Sequence, residues 1–276
     1  MNMQNKIVRI LFLGDVFAQP GRKALKEMLS LLISQYKIDF TIANGENIAG
    51  GSGITHDSVR ELYNAGVQCV TTGNHVWRQK EGHSLLDDDP RVLRPANYPK
   101  TVPGCEYSVF TVGSVRIGVF NLLGRVYMDP PLDSPFEKAD AVLELLKDEA
   151  DITLCDFHAE ATSEKVALGW YLDGRITAVV GTHTHIQTAD ERILDNGTAY
   201  ITDVGMTGSH DSVIGVQKDL ILTRFLTGMP VTFKPGEKDI WINGVIISCD
   251  PTTGKATAIE RVQLRGVDKN GYFVKG

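Results

Sequence analysis

Three features of the 276-residue chain predict an α/β protein with two sheets in one domain spanning residues 1–276. First, five short polar motifs each follow an apolar run. They are Gly14-Asp15 after 7–13, Asn44-Gly45-Glu46-Asn47 after 40–43, Gly73-Asn74-His75 after 68–72, Phe157-His158-Ala159-Glu160 after 152–156, and Gly181-Thr182-His183-Thr184-His185 after 176–180. Such a run reads as a buried strand that delivers a polar side chain to the carboxyl edge of a sheet, where open α/β sheets bind ligands. Second, the first half alternates strands with amphipathic helices, and third, the last part is rich in strands. Both halves share the plan of strands delivering ligands.

Residues 7–13 read as the first strand. Leu25, Met28, Leu29, Leu32, Ile33 and Tyr36 then recur at helical spacing, after a start marked by Pro20-Gly21. A second strand at 40–43, a helix at 55–65 closed by Gly66, and a third strand at 68–72 complete a βαβαβ order. That order favours a parallel sheet with right-handed crossovers. Residues 107–112 and 115–120, split by Gly113-Ser114, form a predicted hairpin. Ser134-Pro135-Phe136-Glu137 combines an N-cap, a first-turn proline and a capping-box Glu, for a helix running to about residue 148. A strand at 152–157, a helix at 163–172 and a strand at 176–180 follow. Strands are expected at 199–202, 231–233, 241–248 and 256–264, with one helix near 216–226.

Hydrophobic residues are 42% and charged residues 22%, as in ordinary globular proteins, and the formal net charge is −6. That balance gives no support to duplex DNA as a partner, while a small anionic substrate stays open because a metal ion can supply local positive charge. Cys69, Cys105, Cys155 and Cys249 form no C-x-x-C motif and are expected as free thiols in a reducing compartment. The polar start at 1–9 lacks a signal-type apolar region, and no apolar stretch reaches membrane-spanning length, so a cytoplasmic location without membrane contact is expected.

His183-x-His185 is the sharpest metal signal, because both rings can turn to one cation if the backbone leaves the extended form. Alone it also reads as a pair of loop histidines. Asp15 taken singly reads as a turn residue, Glu46 as part of a polar loop, and His158 as a structural histidine. Together, two carboxylates, an Asn, a His and an H-x-H, each after a strand, have few such explanations. Mixed oxygen and nitrogen donors suit Fe, Mn or Zn better than Mg or Ca. Two such ions can clamp a phosphoryl group and generate hydroxide near neutral pH.

These motifs resemble the calcineurin-like metallophosphoesterases, whose pattern runs GD-x-H, GD-x-x, GNH-[DE], a lone H and GH-x-H. Here Phe17 stands in place of the first-metal His, Glu46 in place of the bridging Asp, Val76 follows His75, and Thr182 lengthens the last motif. The departures resemble the YmdB-type branch of bacterial phosphodiesterases, down to Asp203-Val204-Gly205-Met206-Thr207-Gly208 and Ser212-Val213-Ile214-Gly215. The resemblance implies a four-layer α/β/β/α sandwich of two mixed sheets with a dinuclear site. It implies hydrolysis of 2′,3′-cyclic nucleotides or related phosphodiesters by a metal-bridging hydroxide, and a homo-oligomer.

In that reading Asp15, Asn47 and His185 hold one metal, Asn74, His158 and His183 the other, and Glu46 bridges them; Fe is favoured over Mn or Zn. His75 gives a proton to the leaving oxygen or holds the phosphate, and Gly205, Thr207 and Gly208 shape the substrate pocket. His56, His83 and His210 lie outside the motifs and read as surface residues. Competing readings are a phosphomonoesterase or ribonuclease (RNA ends being a possible substrate) on the same site, a non-catalytic nucleotide-binding regulator, and an amidohydrolase barrel. That barrel carries H-x-H after its first strand, whereas here it comes late.

Overall fold

The computed structural model describes residues 7–267 and 273–276; the start of the polar opening segment, 1–6, lies outside them. In order the elements are β1 (Val8–Leu13), β2 (Asp15–Val16), α1 (Ala18–Tyr36), β3 (Phe40–Asn44), α2 (His56–Ala65), β4 (Cys69–Thr71), α3 (Lys80–Asp88), β5 (Val92–Leu93), β6 (Tyr107–Val112) and β7 (Val115–Leu123). Then come α4 (Pro135–Leu146), β8 (Ile152–His158), α5 (Thr162–Leu172), β9 (Ala178–Thr182), β10 (Arg192–Ile193), β11 (Ala199–Ile201), β12 (Met206–Ser209), α6 (Lys218–Thr227), β13 (Ile240–Asp250), β14 (Lys255–Val267) and β15 (Phe273–Lys275).

Both sheets are mixed. The first runs β15-β14-β13-β1-β3-β4-β5, with β12 and β2 attached beside β13, and the second runs β10-β11-β9-β8-β7-β6. Strands β1, β3, β4 and β5 pair in parallel, as do β7, β8, β9 and β11, so each sheet gathers its carboxyl ends along one edge.

Alternation along the strands builds the layers. Ile10 and Phe12 of β1, with Ile42 of β3, meet Ile117, Val119, Leu154 and Val180 of the second sheet in a shared core. The other face of β1, Leu11 and Leu13, packs on Leu25, Leu29 and Leu32 of α1. Phe120, Leu122 and Phe157 likewise back onto Val142 and Leu146 of α4 and Leu168 of α5. The result is an α/β/β/α sandwich rather than a closed barrel. No helix among the described residues is long and apolar enough to cross a membrane.

Local signals act as expected at α2, where Thr55 caps Ser58 and Gly66 closes the helix at φ 117°, and at α4, where Ser134 caps Glu137. The first helix starts earlier than Pro20-Gly21 indicates, because Phe17 already serves as its N-cap. The strand expected at 231–233 does not form. Prolines at 230 and 235 flank it, and among the described residues the only ladder contact there is the isolated bridge of Val216 to Pro235. Elements that the pattern did not reveal are α3, the four-residue β12 and the short strands β2, β5, β10 and β15. The four cysteines are free, three of them buried.

Candidate metal centre

The five motifs meet at the carboxyl ends of β1, β3, β4, β8 and β9. At their centre is Nε2 of the buried His158. It lies 3.1 Å from Oδ1 of Asn74, 3.0 Å from Nδ1 of His183 and 3.2 Å from Oε2 of Glu46. Glu46, His158 and His183 thus offer ligand atoms within 4.8 Å of one another. Gly73 lets the chain pass this close, since a Cβ there would lie 2.4 Å from both Glu46 Oε2 and His158 Nε2.

Asp15 and His185 flank this cluster. Nε2 of His185 is 3.7 Å from Oδ1 of Asp15 and 3.2 Å from Nδ2 of Asn47. Oδ1 of Asp15 is buried and has no hydrogen-bond partner among the described residues. Asn47 turns its Nδ2 toward Glu46 Oε1 (2.9 Å) and accepts from His75 Nδ1 (2.7 Å) through its Oδ1. For its oxygen to face a cation the amide must rotate. His183 and His185 adopt left-handed backbone, φ 100° and 66°, which takes the H-x-H segment out of the extended form. Phe17, in the place of a family histidine, sets its ring edge-on to His185 at 5.7 Å.

The supporting groups define proton positions. Thr182 donates to Oδ1 of Asp156 (2.6 Å), so its oxygen accepts from Nδ1 of His158 (2.9 Å). Nε2 of His158 is then the nitrogen left to face the cluster. Thr71 and Asn44 also donate to Asp156. From α5, buried Lys165 bonds the carbonyl of Thr182 and Oδ2 of Asp203, each at 2.7 Å, while Asp203 accepts from both the amide and hydroxyl of Thr184. Neither Asp156, Lys165 nor Asp203 was picked out for such a role by sequence reasoning. A charged residue inside an otherwise apolar strand was the one available signal for Asp156.

The electrostatics ask for a cation. Burial pushes the Asp15 carboxyl up, with His185 and His158 pulling against it. Burial also works on Glu46, but His158 and His75 override it and hold that carboxyl well below the usual range. His158, despite burial, is lifted to about 9 by Glu46, Asp15 and Asp156. Burial and the adjacent His158 drive His183 down to about 3. A proton on His158 and a cation in the cluster answer the same negative field, so a cation held there would take the place of the proton. The donor set, the orphaned Asp15 oxygen and the imidazole lone pairs all fit a transition-metal ion.

His75 is partly exposed. Together with Glu46, Asn47, His183 and His185 it lines a cleft of about 440 Å³. Gly205, Thr207 and Gly208 do not line that cleft. They are buried behind it, where the Gly205 carbonyl accepts from Asp15 N–H and the Thr207 carbonyl from Phe17 N–H. They brace the strand that carries Asp15. His210 stacks on Trp241, ring centroids 4.6 Å apart.

Residues 11–262 match the family model described as YmdB-like protein. The chain is 49% identical over 266 residues to the 2′,3′-cyclic-nucleotide 2′-phosphodiesterase of Bacillus subtilis, covering 96% of this chain and 100% of that one. A crystal structure of a novel phosphatase from Mycoplasma pneumoniae superposes with a TM-score of 0.89 at 34% identity, covering 97% of this chain and 96% of that one. A hypothetical protein from Thermus thermophilus gives a TM-score of 0.86 at 44% identity, with 93% and 98% of the two chains covered.

Proposed function

The chain belongs to the YmdB-like family, and from that we propose that it is a metal-dependent phosphodiesterase acting on 2′,3′-cyclic nucleotides or closely related phosphodiesters. The observation that carries this reading is the convergence of Asn74, His183 and Glu46 on Nε2 of His158, beside the unpartnered buried oxygen of Asp15.

Asp15, Asn47 and His185 are assigned to one cation, Asn74, His158 and His183 to a second, and Glu46 to both. Asn47 joins once its amide rotates. Iron is the favoured metal, with manganese or zinc as alternatives, because nitrogen and oxygen donors are mixed. When bound, the pair supplies Lewis-acid charge to the phosphoryl oxygens and makes hydroxide available near neutral pH. The chain's own residues do the rest. Thr182 and Asp156 hold His158 in the tautomer that faces the cluster. His75 donates its Nδ1–H to Asn47 Oδ1 beside Glu46, so Nε2 is the nitrogen left for the leaving ribose oxygen, and the doubly protonated ring is the form that gives it a proton.

We read residues 1–276 as one domain, since both sheets share a core. A cytoplasmic location suits the free thiols. A homo-oligomer suits the exposed Phe225 and Leu226 at the end of α6 and Met229 just after it. The net charge of −6 argues against duplex DNA, while RNA ends remain acceptable substrates. Purified protein assayed side by side on 2′,3′-cyclic nucleotides, phosphomonoesters and short RNA tests the reading. Turnover of the cyclic nucleotides is expected to dominate; turnover confined to monoesters would overturn it.

A further inference from the structure

The cleft has two unlike walls. Against the carboxylates and histidines stands an apolar lip in which Ile214 and Phe233 are 49% and 45% exposed. Val216 and Pro235 continue it. The lip is tied directly to the metal centre, because the Ile214 carbonyl accepts from Nδ1 of His185 at 3.0 Å. Ile214 holds that position with φ 44°, a costly backbone for a β-branched residue. A tight turn maintains it: Val213 and Val216 exchange both backbone hydrogen bonds, at 2.8 and 3.0 Å, and Gly215 N–H donates to Ser212 Oγ at 2.8 Å. A smaller polar residue would suit this turn better on conformational grounds alone. The strain therefore points to a use for an apolar side chain at that place. Phe233 is likewise held, with the Arg224 guanidinium 5.2 Å from its ring centroid.

We propose that this lip, centred on Ile214 and Phe233, is the subsite for the nucleobase of the substrate. The inference rests on the phosphodiesterase reading above. In a ribose 2′,3′-cyclic phosphate the base and the phosphorus hang from neighbouring sugar carbons. Such a substrate needs an apolar surface and a cation-binding wall side by side in one cleft, and the bond between Ile214 and His185 places them so. An aromatic and a branched aliphatic side chain take any base by its flat face, so the subsite favours nucleotides over base-free sugar phosphates without choosing strongly among bases.

Equilibrium binding of adenosine 3′-phosphate and of ribose 3-phosphate to the metal-loaded protein tests it, alongside turnover of 2′,3′-cyclic AMP. The native protein is expected to prefer the nucleotide, and Phe233→Ala to reduce that preference at least about fivefold. Ile214→Gly, which keeps the left-handed turn without strain, is expected to act in the same direction. A preference retained in both variants, or lost equally for both probes, overturns the subsite. A native protein that prefers the nucleotide yet turns over no cyclic nucleotide leaves the subsite standing and removes the proposed reaction instead.

Discussion

Oε2 of Glu160 stands 3.1 Å from Nε2 of His183, on the ring edge opposite the Nδ1 that faces His158. A neutral imidazole carries one N–H, and the carboxylate claims it, which leaves the Nδ1 lone pair for a cation. Glu160→Ala is therefore expected to weaken metal binding about 10–100-fold. Glu160→Gln, whose amide oxygen still accepts, should retain most of it. Competition against a chelator of known affinity reads the difference. Equal affinity in the native protein and Glu160→Ala would show that Glu160 does not position His183.

The segment that carries His183 is held by a second buried pair. Lys165 bonds Thr182 before it, and Asp203 bonds Thr184 after it. Removing one partner leaves the other charge buried and uncompensated. Lys165→Met is expected to lower stability by about 3–5 kcal/mol, read from urea unfolding. An unchanged midpoint would mean that the pair is relaxed by water or rearrangement.

Much of this centre was legible before any coordinates, and the reason is geometric. A parallel strand ends where its apolar run ends, so Asp15, Glu46, Asn74, His158 and His183 announce themselves as polar residues at those ends. The supporting groups gave no such sign. Asp156 sits inside β8 and matters only because Thr71 and Thr182 come from other strands, and Lys165 resembles any helix lysine until the fold buries it. The sequence 205–208 misled in the opposite sense. Its glycines suit a loop near substrate, yet β12 places them behind Asp15 in parallel pairing with β2. The two sheets followed from strands that deliver ligands in both halves, and their layering as a sandwich from the family resemblance, whereas α3, with few apolar positions, carried too weak a period to see.

Glu46 and His75 separate metal binding from chemistry. Glu46→Gln keeps the side-chain volume but removes the charge shared by the donors, so metal content and hydrolysis should both collapse while circular dichroism stays native. His75→Ala should keep its metal and slow the chemical step about a hundredfold to ten-thousandfold. Elemental analysis with single-turnover kinetics distinguishes them. If His75→Ala loses metal, the residue acts as a ligand.

Acid sensitivity can be traced away from the metal. Burial works against the charge on Asp190, but hydrogen bonds from Thr188 and Thr202 outweigh it and hold the carboxyl below its ordinary value. A depressed carboxyl contributes stability that is fully present above the unfolded value of about 3.9 and is lost as pH falls through the folded one. Asp190→Asn should therefore be less stable than the native protein at neutral pH, with the gap closing below about pH 4. Denaturant midpoints across that range measure it; a gap that stays constant with pH would exclude the carboxylate as its source.

Removing the metal should cost stability as well as activity. Without a cation, the buried Asp15 and Glu46 carboxylates are balanced by a proton on His158 between them, and Oδ1 of Asp15 has no hydrogen-bond partner among the described residues. A cation that binds only the folded chain stabilises it by mass action, about 2.7 kcal/mol at one hundred times its dissociation constant. Dialysis against chelator is thus expected to lower the melting temperature by several degrees, and added Mn or Fe to restore it in a concentration-dependent way. The effect should disappear in Glu46→Gln, because that variant lacks the charge that holds the ion. A melting temperature indifferent to chelator in the native protein would mean that the donors brought together around His158 bind no cation of consequence.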